Sequence, residues 1–134
     1  TKRFDWFRGY HVGGRSLLWG RQSYRLSEMD FEPTVRVATE FVEPIRYGDI
    51  APWYDYVEKF AGIAGTREGL DVLRDGEFLP PIPLNIVEKD VAARIKQAFG
   101  GTRHLIHSRT ANITQPKPEQ GRVNCQYRNK CILG

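Results

Sequence analysis

The residues best placed to do chemistry lie near the start of the chain, in Gly9-Tyr-His-Val-Gly-Gly14-Arg15-Ser16. Two glycines before a basic residue and a hydroxyl have the spacing of a phosphate loop, but Arg15 stands where such a loop carries Lys. Thr1–Arg8 is also aromatic and basic, unlike the buried strand that a phosphate loop follows. A second reading takes Gly13-Gly14 as a pair that lets the backbone approach a flat or anionic ligand, with a short helix beginning after it. A third is a tight turn that uses glycine for positive φ. Pattern alone favours the turn.

Other residues could ligate or accept a modification. His104, His107, Cys125 and Cys131 offer two imidazoles and two thiols, but neither spacing is standard for structural zinc. Two histidines three apart on a strand also point to opposite faces. No metal is therefore expected. Asn112-Ile113-Thr114 fits a glycosylation triplet, a pattern common by chance. Serines, acids and histidines form no nucleophile–base set, so no catalytic residue is assigned.

The elements that would position these residues are a mixture. Arg15–Trp19 could open a short helix, Gln22–Leu26 reads as a strand, and Thr34–Val42 is β-branched enough for another. A helix is expected over Gly48–Ala61, with Ile50, Trp53, Tyr54, Val57, Phe60 and Ala61 as its apolar stripe and Tyr56 pointing away. Pro52 is placed in its first turn, and Gly62 and Gly65 end it. Pro80-Pro81-Ile82-Pro83 is a stiff connector. Asn85 and Glu88 have capping-box spacing for a second helix over 85–99, with Val87, Val91, Ile95, Ala98 and Phe99 as its stripe and Gly100-Gly101 as its stop. Arg103–His107 reads as a strand, and Thr110–Leu133 is rich in loops.

The composition, 40% hydrophobic and 27% charged over 134 residues, is that of one globular domain. No apolar run reaches spanning length. The net charge of +4 is unevenly spread. Residues 1–25 and 101–134 each hold six Lys/Arg and one acid, whereas residues 26–100 hold eight bases and fourteen acids. Basic ends around an acidic middle suggest that the ends meet an anion, although composition alone favours a plain solvated surface. No basic stripe interleaved with aromatics marks a nucleic-acid partner. Two cysteines are too few for a disulfide scaffold and fit a reducing compartment slightly better. Localisation is otherwise open. A start at Thr1 and a stop at Leu133-Gly134, directly after an apolar stretch, are expected to be cuts from something longer.

His11-Val-Gly-Gly-Arg-Ser-Leu-Leu-Trp-Gly-Arg-Gln22 resembles the second flavin-contact segment of glucose-methanol-choline (GMC) oxidoreductases. Ile45-Arg-Tyr-Gly-Asp-Ile-Ala-Pro-Trp-Tyr-Asp-Tyr-Val-Glu58 is similar to that family's helix with a Tyr-x-Asp-Leu-x-Pro-Tyr-Tyr pattern. Arg109–Ile113 and Asn124–Gly134 resemble the segment before the chain returns to the flavin domain. The likeness is greatest to the bacterial branch acting on sugars, sugar acids and related alcohols.

The resemblance implies an α+β fold with two main helices, short strands and long loops, part of a two-domain FAD-binding architecture. It assigns residues 1–26 to flavin contact, 27–108 to a substrate-side cap and 109–134 to the return toward the flavin domain. Gly13, Gly14, Arg15, Ser16, Trp19 and Gly20 would lie against FAD. Some relatives link flavin to a His where Leu18 stands, so FAD is expected to be non-covalent. Iron–sulfur relatives need more thiols than Cys125 and Cys131 supply, so no cluster is expected. The family's Gly-x-Gly-x-x-Gly fingerprint and its C-terminal catalytic His are absent from these residues. The expected partners are the remainder of a parent enzyme and an alcohol or sugar substrate, with no turnover by this segment alone. The alternative is a stand-alone, non-catalytic binding domain with an anion-binding Gly-Gly turn.

Overall fold

A computed structural model of the chain describes residues 3, 9–31 and 45–127. Its regular elements are two α-helices, α1 over Tyr47–Ala61 and α2 over Ile86–Ala98, with short 3-10 turns at Gly14–Leu17, Glu28–Phe31 and Pro118–Gln120. Single β-bridges and loops make up the rest, a small α+β arrangement with little strand.

Local chemistry sets the helix ends. At α1, the Asp49 carboxylate accepts the Arg46 N–H at 2.8 Å, satisfying a donor that the first turn leaves free. Gly62 ends the helix in the left-handed region, φ 77, and its N–H donates to the Glu58 carbonyl. α2 carries the full reciprocal box: the Glu88 N–H donates to Asn85 Oδ1 at 2.9 Å, and the Asn85 N–H donates to Glu88 Oε2 at 2.7 Å. Gly100 and Gly101 follow at φ 56 and φ 82, conformations that a Cβ would strain. α1 starts one residue earlier than the sequence suggests. Pro52 is therefore its sixth residue, past the first turn, and leaves the exposed Gly48 carbonyl without a helical donor.

The expected strands at Gln22–Leu26 and Arg103–His107 do not form as strands. A band one residue wide replaces them, in the order Gln22, Thr110, Ala64, Leu79. Ala64 and Thr110 exchange both backbone bonds, at 2.8 and 3.0 Å. Ser23 N–H to the Arg109 carbonyl and Ala111 N–H to the Arg21 carbonyl flank the first antiparallel bridge. Leu79 joins in parallel, donating to the Ile63 carbonyl and accepting from Gly65. The Thr34–Val42 strand and Cys131 lie outside the described residues.

The buried centre is largely ionic. Among the described residues the buried hydrophobics are Ile63 and Ala64, whereas Arg25, Glu58, Arg109 and Ser27 are buried polar groups. Arg25 grips Glu58 with two bonds, Nε to Oε1 at 2.8 Å and Nη2 to Oε2 at 2.6 Å. Arg25 also reaches Asp55 and donates to the Tyr47 hydroxyl at 3.1 Å, with its guanidinium over the Tyr54 ring. The Glu77 N–H donates the third bond to Glu58, at 2.8 Å. The Glu58 hydrogen bond holds the Arg25 guanidinium well above its ordinary pKa, against the opposing effect of burial.

This network decides how α1 faces the protein. Its inward residues are Tyr47, Ile50, Ala51, Tyr54, Asp55, Glu58 and Ala61, which repeat at three and four. The predicted apolar stripe is turned partly away: Trp53, Val57 and Phe60 are exposed, as is Tyr56. A bidentate Arg–carboxylate pair needs one orientation of α1, and the aromatic residues follow it. On α2, Ala92 and Ile95 are half-buried, while Val87, Val91 and Phe99 of the predicted stripe are exposed.

Candidate functional site

The loop singled out by sequence folds as a closed turn. Gly13 has φ 100 and Gly14 φ 51, so both glycines are required by the backbone itself. The Gly14 N–H donates to the His11 carbonyl at 3.1 Å, and the Arg15 carbonyl accepts from Leu18 and Trp19 at 2.9 and 2.8 Å. Gly9 is needed for packing, because a Cβ there would stand 2.4 Å from the His11 ring and 2.7 Å from a Leu18 methyl. A Cβ at Gly14 or Gly20 would meet nothing within 4 Å. That face of the loop is open to close approach, and at Gly20, which has no positive φ, nothing within the described chain needs the missing side chain.

Trp19, 43% exposed, is where the loop meets the rest of the molecule. It lines an open groove of about 450 Å³ together with Arg21, Phe60, Ala61, Ala111 and Arg122. On its other side is a smaller, mostly apolar cavity of about 190 Å³, bounded by Tyr24, Tyr54, Val57, Ala61 and Ile63 with the Arg25–Glu58 pair at its base. Of the six predicted residues, only Trp19 reaches either space; Gly13, Gly14, Arg15, Ser16 and Gly20 form the turn around it.

Two arginines that sequence reasoning did not select stand in the groove. Arg122 is delivered by a tight hairpin in which Lys117 and Arg122 pair across Pro118–Gln120, with Gly121 at φ 65. Its guanidinium donates to the carbonyls of Phe60 and Ala61, at 2.7 and 2.9 Å, placing a cation on the C-terminal end of α1. Arg21 has φ 61, which is uncommon for a residue with a side chain, and the Ala111 N–H holds its carbonyl at 2.8 Å. Its guanidinium makes no hydrogen bond or ion pair with the described residues. A basic residue following Trp19-Gly20 was the available sequence signal, but its left-handed backbone has no local signature.

Arg109 anchors the opposite side. It is 1% exposed, stacks over the Phe78 ring, and donates to Asp75 at 2.9 Å and to the Arg74 carbonyl. Burial would raise the Asp75 pKa. The amides of Glu68 and Gly69, together with the Arg109 charge, outweigh that and hold it below the ordinary value. Burial pushes the Arg109 pKa down, with Asp75 opposing. Among the described residues no three His, Cys, Asp or Glu side chains gather as metal ligands, and no helix is long and apolar enough to cross a membrane.

No family model matches the chain. It is 31% identical over 62 residues to paromamine 6'-oxidase of Streptomyces fradiae, an alignment covering 44% of the chain and 12% of that protein. It is 26% identical over 130 residues to 6'''-hydroxyparomomycin C oxidase of Streptomyces lividus, covering 91% of the chain and 22% of that protein. The chain thus spans about a fifth or less of the length of these curated relatives. Both are named as oxidases, so the likeness is to oxidoreductases.

Proposed function

We propose that the chain is a segment of an FAD-dependent oxidoreductase of GMC type that oxidises an alcohol, sugar or sugar acid. The observation that carries this reading is the turn at Gly13–Gly20. Two glycines are held at positive φ, Gly14 and Gly20 have an open face, and the turn delivers Trp19 to an open groove of about 450 Å³. The likeness to two oxidases, named for paromamine and 6'''-hydroxyparomomycin C and extending over 91% of the chain in the second case, supports the same reading. Bound FAD would supply hydride acceptance, the chemistry that no side chain of this segment can perform.

The residues fit such a group on structural grounds. An extended flat ligand needs backbone without Cβ atoms, and the loop offers it at Gly14 and Gly20. Gly13 and Gly14 would let the backbone approach the cofactor, with Arg15 and Ser16 beside it and Trp19-Gly20 following. Leu18 has no nucleophilic atom, so attachment is non-covalent. The buried Arg25–Glu58 pair and the buried Arg109 with its part-exposed partner Asp75 position this loop through the Gln22–Thr110 bridge; they have no reacting role. The remainder of the parent enzyme supplies the dinucleotide fold and the catalytic base.

The test is residue-specific. In the intact enzyme containing this chain, Gly20→Val, at a glycine with open space and no positive φ, should lower the flavin content of purified protein severalfold while leaving circular dichroism unchanged. Undiminished flavin in a folded Gly20→Val variant would remove the loop from the cofactor bed.

A further inference from the structure

The groove beside Trp19 has chemistry that flavin contact does not account for. Its walls include two aromatic rings, Trp19 and Phe60, and its floor two small residues, Ala61 and Ala111. Arg21 and Arg122 contribute positive charge to it, and no acidic residue lines it. Arg122 is fixed by two carbonyls and by Gln120 Oε1 at 3.0 Å. Arg21 is held at an unfavourable backbone angle, and its guanidinium is left without a protein partner among the described residues. Such strain persists where surrounding bonds over-determine it, and here the Ala111 and Ser23 bonds to the Arg21 carbonyl do so.

We infer that this groove binds a hydroxylated ring bearing an anionic group, a sugar acid or sugar phosphate, with Arg21 as the specificity-determining residue. The flat apolar face of a sugar ring suits the aromatic walls, and a guanidinium fork matches two oxygens of a carboxylate or phosphate. The same charge opposes an ammonium group. As a substrate site the groove rests on the oxidoreductase reading above; as an anion site it stands on its own geometry.

The experiment uses the ¹⁵N-labelled full chain and follows the indole N–H resonance of Trp19, assigned by loss in Trp19→Phe. Glucuronate, glucose 6-phosphate, glucose, glucosamine and ADP are titrated separately. Glucuronate or glucose 6-phosphate should shift the resonance saturably, at least tenfold more tightly than glucose or glucosamine, and the stronger of the two identifies the anion. Arg21→Gln should reduce that preference to within about twofold, and Arg21→Lys should retain part of it. If Arg21→Gln fails to fold, Arg21→Gly, which suits the positive φ, takes its place. Equal binding of glucosamine, an unchanged preference in the folded Arg21 variant, or tightest binding by ADP would overturn the inference. Anion binding by a chain whose intact enzyme never carries flavin would sink the cofactor reading and leave the groove assignment standing.

Discussion

Replacing Glu58 with Gln should destabilise the protein more than any exposed substitution. The carboxylate is 6% exposed and accepts three hydrogen bonds, two from Arg25 and one from the Glu77 amide. Arg25 is itself 4% exposed, so loss of the anion leaves a buried cation with only the half-exposed Asp55 as its acidic partner. Breaking one side of a buried pair costs about 3–5 kcal/mol, mostly the penalty of the uncompensated charge. Asp55 offsets part of this, so about 3 kcal/mol is the expected loss, with a thermal midpoint lowered by roughly 10 °C. The double variant Arg25→Met/Glu58→Leu removes both charges and should cost less than the sum of the single variants. Urea unfolding followed by circular dichroism on wild type, Arg25→Met, Glu58→Leu and the double variant provides the cycle, with Glu58→Gln measured beside them. A Glu58→Gln loss under about 1 kcal/mol, or additive single variants, would refute the claim that this pair anchors α1.

Gly76→Ala should act on the same pair from outside, because its Cβ would stand 2.2 Å from Glu58 Oε2 and 2.6 Å from Arg25 Nη2; a melting temperature equal to wild type would contradict the packing. Asn85→Ala should cost about 1 kcal/mol through loss of the α2 cap, read as reduced amide protection over residues 86–90 in hydrogen exchange. Acid should weaken the fold through Asp75. Its folded pKa is lowered, so its stabilisation is complete above the ordinary carboxylate value of about 3.9 and is lost as pH falls through the lower folded value. Asp75→Asn should flatten that part of the stability–pH curve, and a curve parallel to wild type would count against it. The Ser27 amide and hydroxyl likewise lower the Asp30 pKa, giving a second acid-sensitive contact with the same sign.

Local signals were the legible ones. Asn85 with Glu88, Gly62, and Gly100-Gly101 each act within one turn of chain, and all three shape helix ends as the spacing implied. The face of α1 was not legible in the same way. Its apolar period pointed Trp53, Val57 and Phe60 inward, but Arg25, 33 residues away from Glu58, turns the helix toward an ionic centre instead. Segment 22–26 has strand-like composition, yet its neighbour pairs with it at a single bridge, so the period-two pattern had no sheet to join. At the site, the glycines at 13 and 14 could be read from residue type. Arg21 and Arg122 could not: the left-handed backbone of Arg21 is set by bonds to Ala111 across the Gln22–Thr110 bridge, and the hairpin around Pro118–Gln120 brings Arg122 to Trp19 across about a hundred residues of sequence.

The central claim is that this chain helps to hold a non-covalent flavin. The direct measurement is the visible absorbance of the native, full-length enzyme containing it, followed by acid precipitation and separation of pellet from supernatant. The account predicts a yellow protein whose flavin passes entirely into the supernatant as FAD. A colourless native protein would contradict flavin binding, and flavin retained in the pellet would contradict the non-covalent bed built around Gly13–Gly20.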